Sequence, residues 1–261
     1  MPTLIKLYVS QKRNSFKKTG DMDRMQTERL YLADPYATEG VGRATKVEFT
    51  DLVVDKSIFV PTGDGQPNDK GNVMIDGKNY ISVDTWYDGE SIHLMSLDTY
   101  PVDIIGKEVK QLIDWKVRFQ HMKFRTALFI LQGIAYRDYG SACRINQTYD
   151  DSAWIDIYIE NLTNEIVNDI LEKAKGVVSS AVPVQQRFVT REEFSKIPEL
   201  MKISKGKVPD FERVKLTKIS DLPEFPDMGT QVKNTSEVGT IEIKTTLVKG
   251  KLNNRLNISL L

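Results

Sequence analysis

The chain has 261 residues, 40% hydrophobic and 28% charged, the usual mix of a soluble globular protein long enough for one large domain or two modest ones. Lys+Arg and Asp+Glu balance at 36 each, which excludes a bulk basic field, so any contact with nucleic acid has to use local patches. The single cysteine, Cys143, excludes an intramolecular disulfide and suits a reducing cytoplasm, and no apolar run approaches the ~20 residues of a membrane span. Residues 1–18 carry Lys6, Lys12, Arg13, Lys17 and Lys18 without a long apolar core, so no secretory signal is expected, and the Asn-x-Ser/Thr sequons at Asn146, Asn161, Asn234 and Asn257 read as chance matches.

In chain order, residues 45–54 (TKVEFTDLVV) and 71–83 (GNVMIDGKNYISV) place β-branched and aromatic side chains in short alternating runs. Between them Pro61-Thr62-Gly63-Asp64-Gly65-Gln66-Pro67 is too dense in turn residues for regular structure. Strand-like pieces at 91–97 and 106–113 complete a set that predicts a small twisted sheet or barrel. From 116 to 136 the spacing turns helical, with Val117, Met122, Ala127, Leu128, Leu131 and Ile134 near one face and Gly140 placed to end it. Residues 164–175 predict a second helix capped by Asn164, and 191–197 a third, capped by Thr190 with Glu193 completing a capping box. Strands return at 212–219, 239–247 and 255–260. The prediction is an α+β protein, with an N-terminal small β-barrel-like domain over 1–114 and a second domain over 115–261 in which helices pack on an antiparallel sheet.

Four segments stand out as motifs. They are Leu30-Tyr31-Leu32-Ala33-Asp34-Pro35-Tyr36; Phe59-Val60-Pro61-Thr62-Gly63-Asp64-Gly65-Gln66-Pro67-Asn68-Asp69-Lys70-Gly71; Ile113-Asp114-Trp115 with Arg118 and His121-Met122; and Gly229-Thr230-Gln231-Val232-Lys233-Asn234-Thr235-Ser236-Glu237-Val238-Gly239. In this order they resemble the alanyl-tRNA editing proteins, the AlaX family. The second is similar to that family's F-Y-P-x-G-G-G-Q-P-x-D-x-G loop beside the aminoacyl pocket, and the fourth to its G-T-H-V-x-N-T-G-E-I-G segment. The likeness runs from about residue 30 to residue 239. It implies an editing-type fold for 115–261 and the acceptor end of an aminoacylated tRNA as partner. With ~30 residues before the first match, no activation domain is expected, so the protein would act in trans on tRNA charged elsewhere.

The departures from the family carry chemistry. Its central helix reads His-Thr/Ser-Ala-x-His, which sets two imidazoles one turn apart to share zinc, and Cys-Gly-Gly-Thr-His supplies two more ligands. Here the stretches are Arg125-Thr126-Ala127-Leu128-Phe129 and Asp227-Met228-Gly229-Thr230-Gln231. All four ligand positions differ: Arg cannot deprotonate to ligate, Phe has no lone pair, Gln is a poor zinc ligand, and Asp227 alone does not hold the ion. No metal and no other cofactor is expected. A rescue cluster of His93, His121 and Cys143 lacks ligand spacing; the plainer reading makes His121 a partly buried helix residue and Cys143 a small core hydrophobe.

The resemblance brings Arg125 and Asp227 together, so a guanidinium–carboxylate pair is expected to fill the vacated space, with Gln231 adding hydrogen bonds. Such a pair either holds helix to sheet or lets Arg125 meet a substrate carbonyl or terminal phosphate. The candidate catalytic residues are Thr62, Gln66, His121, Arg125 and Asp227; the candidate substrate-binding residues are Gly63, Asp64, Gly65, Thr126, Phe129, Thr230 and Gln231. Backbone N–H groups of Gly63, Gly65 and Gln66 can present an oxyanion-type arrangement. Asp64 replaces a family glycine and raises the cost of a positive φ there. The Thr62 hydroxyl either bonds a seryl or alanyl moiety or belongs to an ordinary turn.

No nucleophile elbow or P-loop is present. Lys202, Lys205 and Lys207, Lys215 and Lys218, and Lys244, Lys249, Lys251 and Arg255 either line a phosphate-binding face or are solvated surface. Two function classes follow. One is a cytoplasmic enzyme that moves the aminoacyl group of tRNA to a small-molecule amine or hydroxyl acceptor, or cleaves it, without zinc. The other is a non-catalytic aminoacyl-tRNA-binding or protein-interaction module on a degenerate editing fold.

Overall fold

The computed structural model describes residues 26–261 except 142, 144, 249, 250 and 253; for 247, 248, 251 and 252 it describes the backbone only. The N-terminal charges at Lys6 to Lys18 and the residue Lys249 lie outside the described residues, as does the side chain of Lys251. The fold is α+β. β1 (Glu28–Arg29) pairs in parallel with β4 (Lys56–Ser57) beside a closed antiparallel barrel. The barrel strands are β2 (Glu39–Glu48), β3 (Asp51–Val54), β5 (Gly71–Ile75), β6 (Lys78–Tyr87), β7 (Ile92–Ser96) and β8 (Glu108–Ile113), in the order β2-β3-β7-β6-β5-β8.

The run read at 45–54 is a hairpin. The chain reverses at Phe49, whose φ is 55°, so that Lys46–Glu48 pair with Asp51–Val53. The run at 71–83 likewise reverses at Asp76-Gly77, both at positive φ, the turn chemistry that matches strand twist in a two-residue hairpin. β2 reaches closure because it is long and bulged between Ala44 and Lys46: its first half pairs with β8 and its second with β3. Leu52, Val54, Val73, Ile75, Tyr80, Ile92, Leu94 and Val109 fill the barrel core.

α1 (Trp115–Tyr139) follows directly, begun by the Asp114 side chain accepting from Val117 N–H and ended at Gly140. α2 (Asn164–Ser179) packs on it. Its cap is Thr163, one residue before the expected Asn164, because the Thr163 hydroxyl accepts from Ile166 N–H at 3.3 Å. Both helices cover a four-stranded antiparallel sheet, β14-β17-β10-β9, built from β9 (Ile145–Thr148), β10 (Ala153–Asp156), β14 (Ile241–Lys244) and β17 (Arg255–Leu260). A separate three-stranded sheet holds β11 (Val184–Thr190), β12 (Arg213–Ile219) and β13 (Phe225–Pro226), with β12 in the middle. The expected capping box of Thr190 and Glu193 opens α3 (Arg191–Ser195), which stops short of Ile197; Pro198 then starts a separate α4 (Pro198–Ile203). Phe194 and Leu200 of these short helices bury against Val189, Val214 and Leu216. A small hairpin, β15 (Leu247–Val248) with β16 (Lys251–Leu252), completes the described strands.

Candidate active site

Burial runs all round α1, yet its buried residues include Arg118, His121, Arg125 and Gln132. Residues 118, 121 and 125 recur at i, i+3 and i+7 and so share one stripe, and each buried polar head needs a partner. Arg118, fully buried, donates through Nε to Asp69 Oδ1 at 2.7 Å and through Nη1 and Nη2 to the carbonyls of Pro35 and Ile58. Asp69 also accepts from Val60 N–H at 2.6 Å, so this ion pair ties the turn-rich 61–67 loop to the helix.

Arg125 occupies the same stripe two turns on. Its Nε donates to Asp227 Oδ1 at 2.9 Å, its Nη2 donates to the same oxygen, and its Nη1 reaches the Asp64 carbonyl at 2.8 Å. Asp227 Oδ1 further accepts from Gly229 N–H at 2.8 Å, and Oδ2 from Gln231 Nε2 at 2.6 Å. Gln231 Oε1 takes the Thr126 hydroxyl at 2.7 Å, and that hydroxyl accepts from Val232 N–H. The anticipated pairing of Arg125 with Asp227, with Gln231 added, is therefore what the chain adopts. Burial alone would push the Asp227 carboxyl up, but the charges of Arg125 and Lys215 and the hydrogen bonds to it hold it far below the carboxylate range.

Gln66 is buried and spent at both ends of its amide: Nε2 donates to Thr230 Oγ1 and Oε1 accepts from Thr230 N–H, each at 2.9 Å. Gly63 N–H and Gln66 N–H are bonded to each other's carbonyls. Two of the three N–H groups expected to form an oxyanion-type arrangement are thus closed off by the loop's own turn, leaving Gly65. Gly65 has φ of 78° and lies so close to β9 that an added Cβ would sit 2.6 Å from Asn146 O. Asp64 does adopt the costly positive φ, 48°.

A cavity of about 440 Å³ opens here. Asp64, Gly65, Arg125, Phe129 and Asp227 line it, with Phe211 and Phe225 among its apolar walls. Gln66, Thr126, Thr230 and Gln231 do not line it. Thr62 is exposed, its hydroxyl 3.3 Å from Asn68 Oδ1, and lies off the cavity with Gly63. His121 is fully rather than partly buried, its Nε2 facing Asp150 Oδ1 at 2.8 Å while Nδ1 has no partner among the described residues. Burial outweighs Asp150 and holds this imidazole below its usual pKa. Cys143 lines the cavity, but burial pushes its thiol up to about 11, so it stays protonated at neutral pH and is no nucleophile. Asp64 is exposed overall, yet lost solvation raises its carboxyl above the ordinary value against the opposing charge of Arg125.

Lys215 corrects an expectation. In the sequence it belongs to clusters of surface or phosphate-facing lysines; in the fold it is 1% exposed, with its ammonium on the Gly229 carbonyl. Burial brings its pKa down to about 8, Asp227 opposing. No sequence signal marks it: Val214-Lys215-Leu216-Thr217 is no apolar run, and its four residues are buried because β12 is the central strand of its sheet.

Among the described residues no three His, Cys, Asp or Glu side chains gather as a metal-ligand set. His93 sits apart, on β7, between Asp51 and Asp88 and stacked on Trp86. No helix among the described residues is long and apolar enough to cross a membrane.

No family profile matches the chain. Over 248 residues, 90% of this chain and 99% of the relative, it is 30% identical to the alanyl-tRNA editing protein AlaX-M of Methanosarcina acetivorans. The chain belongs to the AlaX family. It is also 29% identical over 226 residues to AlaX-M of Saccharolobus solfataricus, across 86% of this chain and 95% of that one. An alanine–tRNA ligase of Metallosphaera sedula is 32% identical over 226 residues, which is 85% of this chain but 25% of the ligase.

The resemblance matches the family's zinc-ligand positions to Arg125, Phe129, Asp227 and Gln231. This donor set does not fit zinc. Phe129 is packed edge-on against Phe225, Asp227 is saturated by Arg125, Gly229 and Gln231, and Gln231 turns its amide nitrogen, not its oxygen, toward Asp227.

Proposed function

We propose that this AlaX-family protein acts in trans on the aminoacyl ester of an alanyl-type aminoacyl-tRNA, with Arg125 supplying the charge that zinc supplies elsewhere. The observation that carries the reading is the cavity wall formed by Arg125, Asp227 and Asp64 in a chain alignable with nearly the whole of AlaX-M. A guanidinium has five N–H donors; Arg125 commits three, two to Asp227 and one to Asp64 O, leaving two for a ligand. An ester carbonyl placed against them develops its negative charge where fixed donors already point.

Asp64 is the base in this reading, because its carboxyl has no committed partner among the described residues and its raised pKa moves it toward the proton-transfer range. It takes a proton from water as the water oxygen bonds to the ester carbonyl carbon, and the oxyanion faces Arg125. Collapse breaks the bond to the tRNA ribose oxygen, which recovers the proton from Asp64. An amine or hydroxyl acceptor in place of water makes the same sequence a transfer. Gln66, Thr126, Thr230 and Gln231 position the 61–67 loop and the segment after β13 rather than touch the ester, and His121 is a positioning group that faces Asp150.

A binding-only module is the second reading, favoured by the internal hydrogen bonds that engage both ends of the Gln66 and Gln231 amides and both oxygens of Asp227. Incubating the pure protein with radiolabelled alanyl- and seryl-tRNA separates them. Ester loss faster than the buffer control supports deacylation, and label appearing on an added amine or hydroxyl compound supports transfer. Half-lives equal to buffer, with tRNA retained on a filter, leave binding alone.

A further inference from the structure

A second cavity, of about 310 Å³, adjoins the first: Phe211 lines both. Its walls bring together β1, the end of β6, β11 and the entry to β12. Arg29 Cζ stands 5.1 Å from the Tyr87 ring centroid and 5.5 Å from that of Phe211. Arg213 Cζ stands 5.2 Å from the Phe188 centroid. Two guanidiniums, on β1 and β12, thereby stand near the faces of three rings. Asp210 on the same rim is paired with Arg191, so among the described residues Arg29 and Arg213 keep their charges unpaired. Arg29 is also within electrostatic reach of Asp64 and Lys215, which joins this cavity to the ester site by charge as well as by a shared wall.

Aromatic rings and guanidiniums spaced along a groove suit one chemistry, a single nucleic-acid strand: bases stack on the rings and phosphates take the planar donors. We propose that this second cavity binds the single-stranded nucleotide preceding the esterified one, its base against Phe188 and Tyr87 and its phosphate between Arg29 and Arg213. The inference rests on the aminoacyl-tRNA reading given above and extends it from the ester to the strand that carries it. Glu212 on the rim is an acceptor for an exocyclic amino group, so the site takes cytosine or adenine in preference to uracil. This is how a chain without net positive charge can hold an RNA end: two local guanidiniums act in place of a bulk field.

The test uses fluorescence anisotropy with the full chain and uncharged tRNA, then a short 5′-labelled single-stranded RNA ending in the same nucleotides. Phe188→Ala is expected to weaken Kd about tenfold and Phe188→Trp to restore it. Arg213→Ala is expected to weaken binding and to flatten the dependence of log Kd on log salt by about 0.7, one single-strand phosphate contact. Replacing cytosine by uracil in the short RNA is expected to weaken the wild type more than Glu212→Gln. If the wild type holds tRNA no better than an unrelated protein of equal charge, the aminoacyl-tRNA reading and this inference fall together. If tRNA binds tightly and the Phe188 and Arg213 variants bind as well as the wild type, the inference alone falls. It falls equally if those variants lower the unfolding midpoint of the free protein while leaving Kd unchanged, since the cavity is then a packing surface.

Discussion

Arg125 and Asp227, 102 residues apart, share two hydrogen bonds through a single carboxylate oxygen in a site where the arginine is 3% exposed, and the other oxygen is held by Gln231. The pair joins the central helix to the segment after β13, and a carbonyl of the 61–67 loop closes the triangle. Breaking a buried pair strands one charge, while removing both members does not. Arg125→Met should therefore cost about 3–5 kcal/mol in urea denaturation, and Arg125→Met with Asp227→Leu much less. Equal losses in the single and double variants would show that the two are not coupled.

Gly229 is the neighbour that lets this pair approach. A Cβ there would overlap the Arg125 Nε and lie 2.5 Å from Gln66 Oε1, whereas at Gly63 it would meet nothing within 4 Å. Gly229→Ala should destabilise by about 1–3 kcal/mol and Gly63→Ala by less than about 0.5 kcal/mol, read by thermal and denaturant unfolding.

Lys215 links stability to pH. Its folded pKa, about 8, lies below its ordinary 10.5, so between those values the unfolded chain binds a proton that the folded chain does not. Stability from this group rises as pH climbs from about 8 to 10.5, by on the order of 3 kcal/mol at most. Lys215→Met should abolish that rise, and an unchanged slope in the variant would assign it elsewhere.

The chain has two histidines, and they titrate in opposite directions. Burial would lower His93, but Asp51 and Asp88 bring it above 6.5; for His121 burial wins over Asp150. His93 stabilises the fold below pH 6.5 and loses that contribution as pH rises through its raised value. His121 favours the fold above 6.5 and loses its contribution as pH falls toward its lowered value. Ring proton shifts in NMR should show one midpoint on each side of 6.5, with His121→Asn removing the lower one.

Reinstating the family's donor set gives a direct reading of the metal site. The fourfold variant Arg125→His, Phe129→His, Asp227→Cys and Gln231→His should retain zinc after dialysis, at about one per chain, and the native chain should retain none. Stoichiometric zinc in the native protein would sink the proposed role of Arg125.

Local features were legible before folding. The central helix, the Thr190–Glu193 capping box and the strand over 255–260 rest on spacing within a dozen residues, where 3.6-residue and 2-residue periods speak for themselves. The cap of α2 was misplaced by one residue because Thr163 and Asn164 are both good caps, and only the backbone angle at Thr163 chooses. Among site residues, Gln66 is a catalytic candidate whose hydrogen-bond partner, Thr230, is 164 positions away and so invisible to any local pattern.

The α+β order of elements is legible in spacing alone, and so is the chemistry of Arg125 and Phe129, since neither a guanidinium nor a phenyl ring has a lone pair to give a metal at neutral pH. Folding brings Arg125 to Asp227, lets the Gly63–Gln66 turn consume its own N–H groups, buries Lys215 and stands Phe211 between two cavities, and none of these is written in local spacing. The reason is physical: a side chain's period along the chain tells which face it occupies, while the partner on that face arrives from a distant segment whose approach is set by packing.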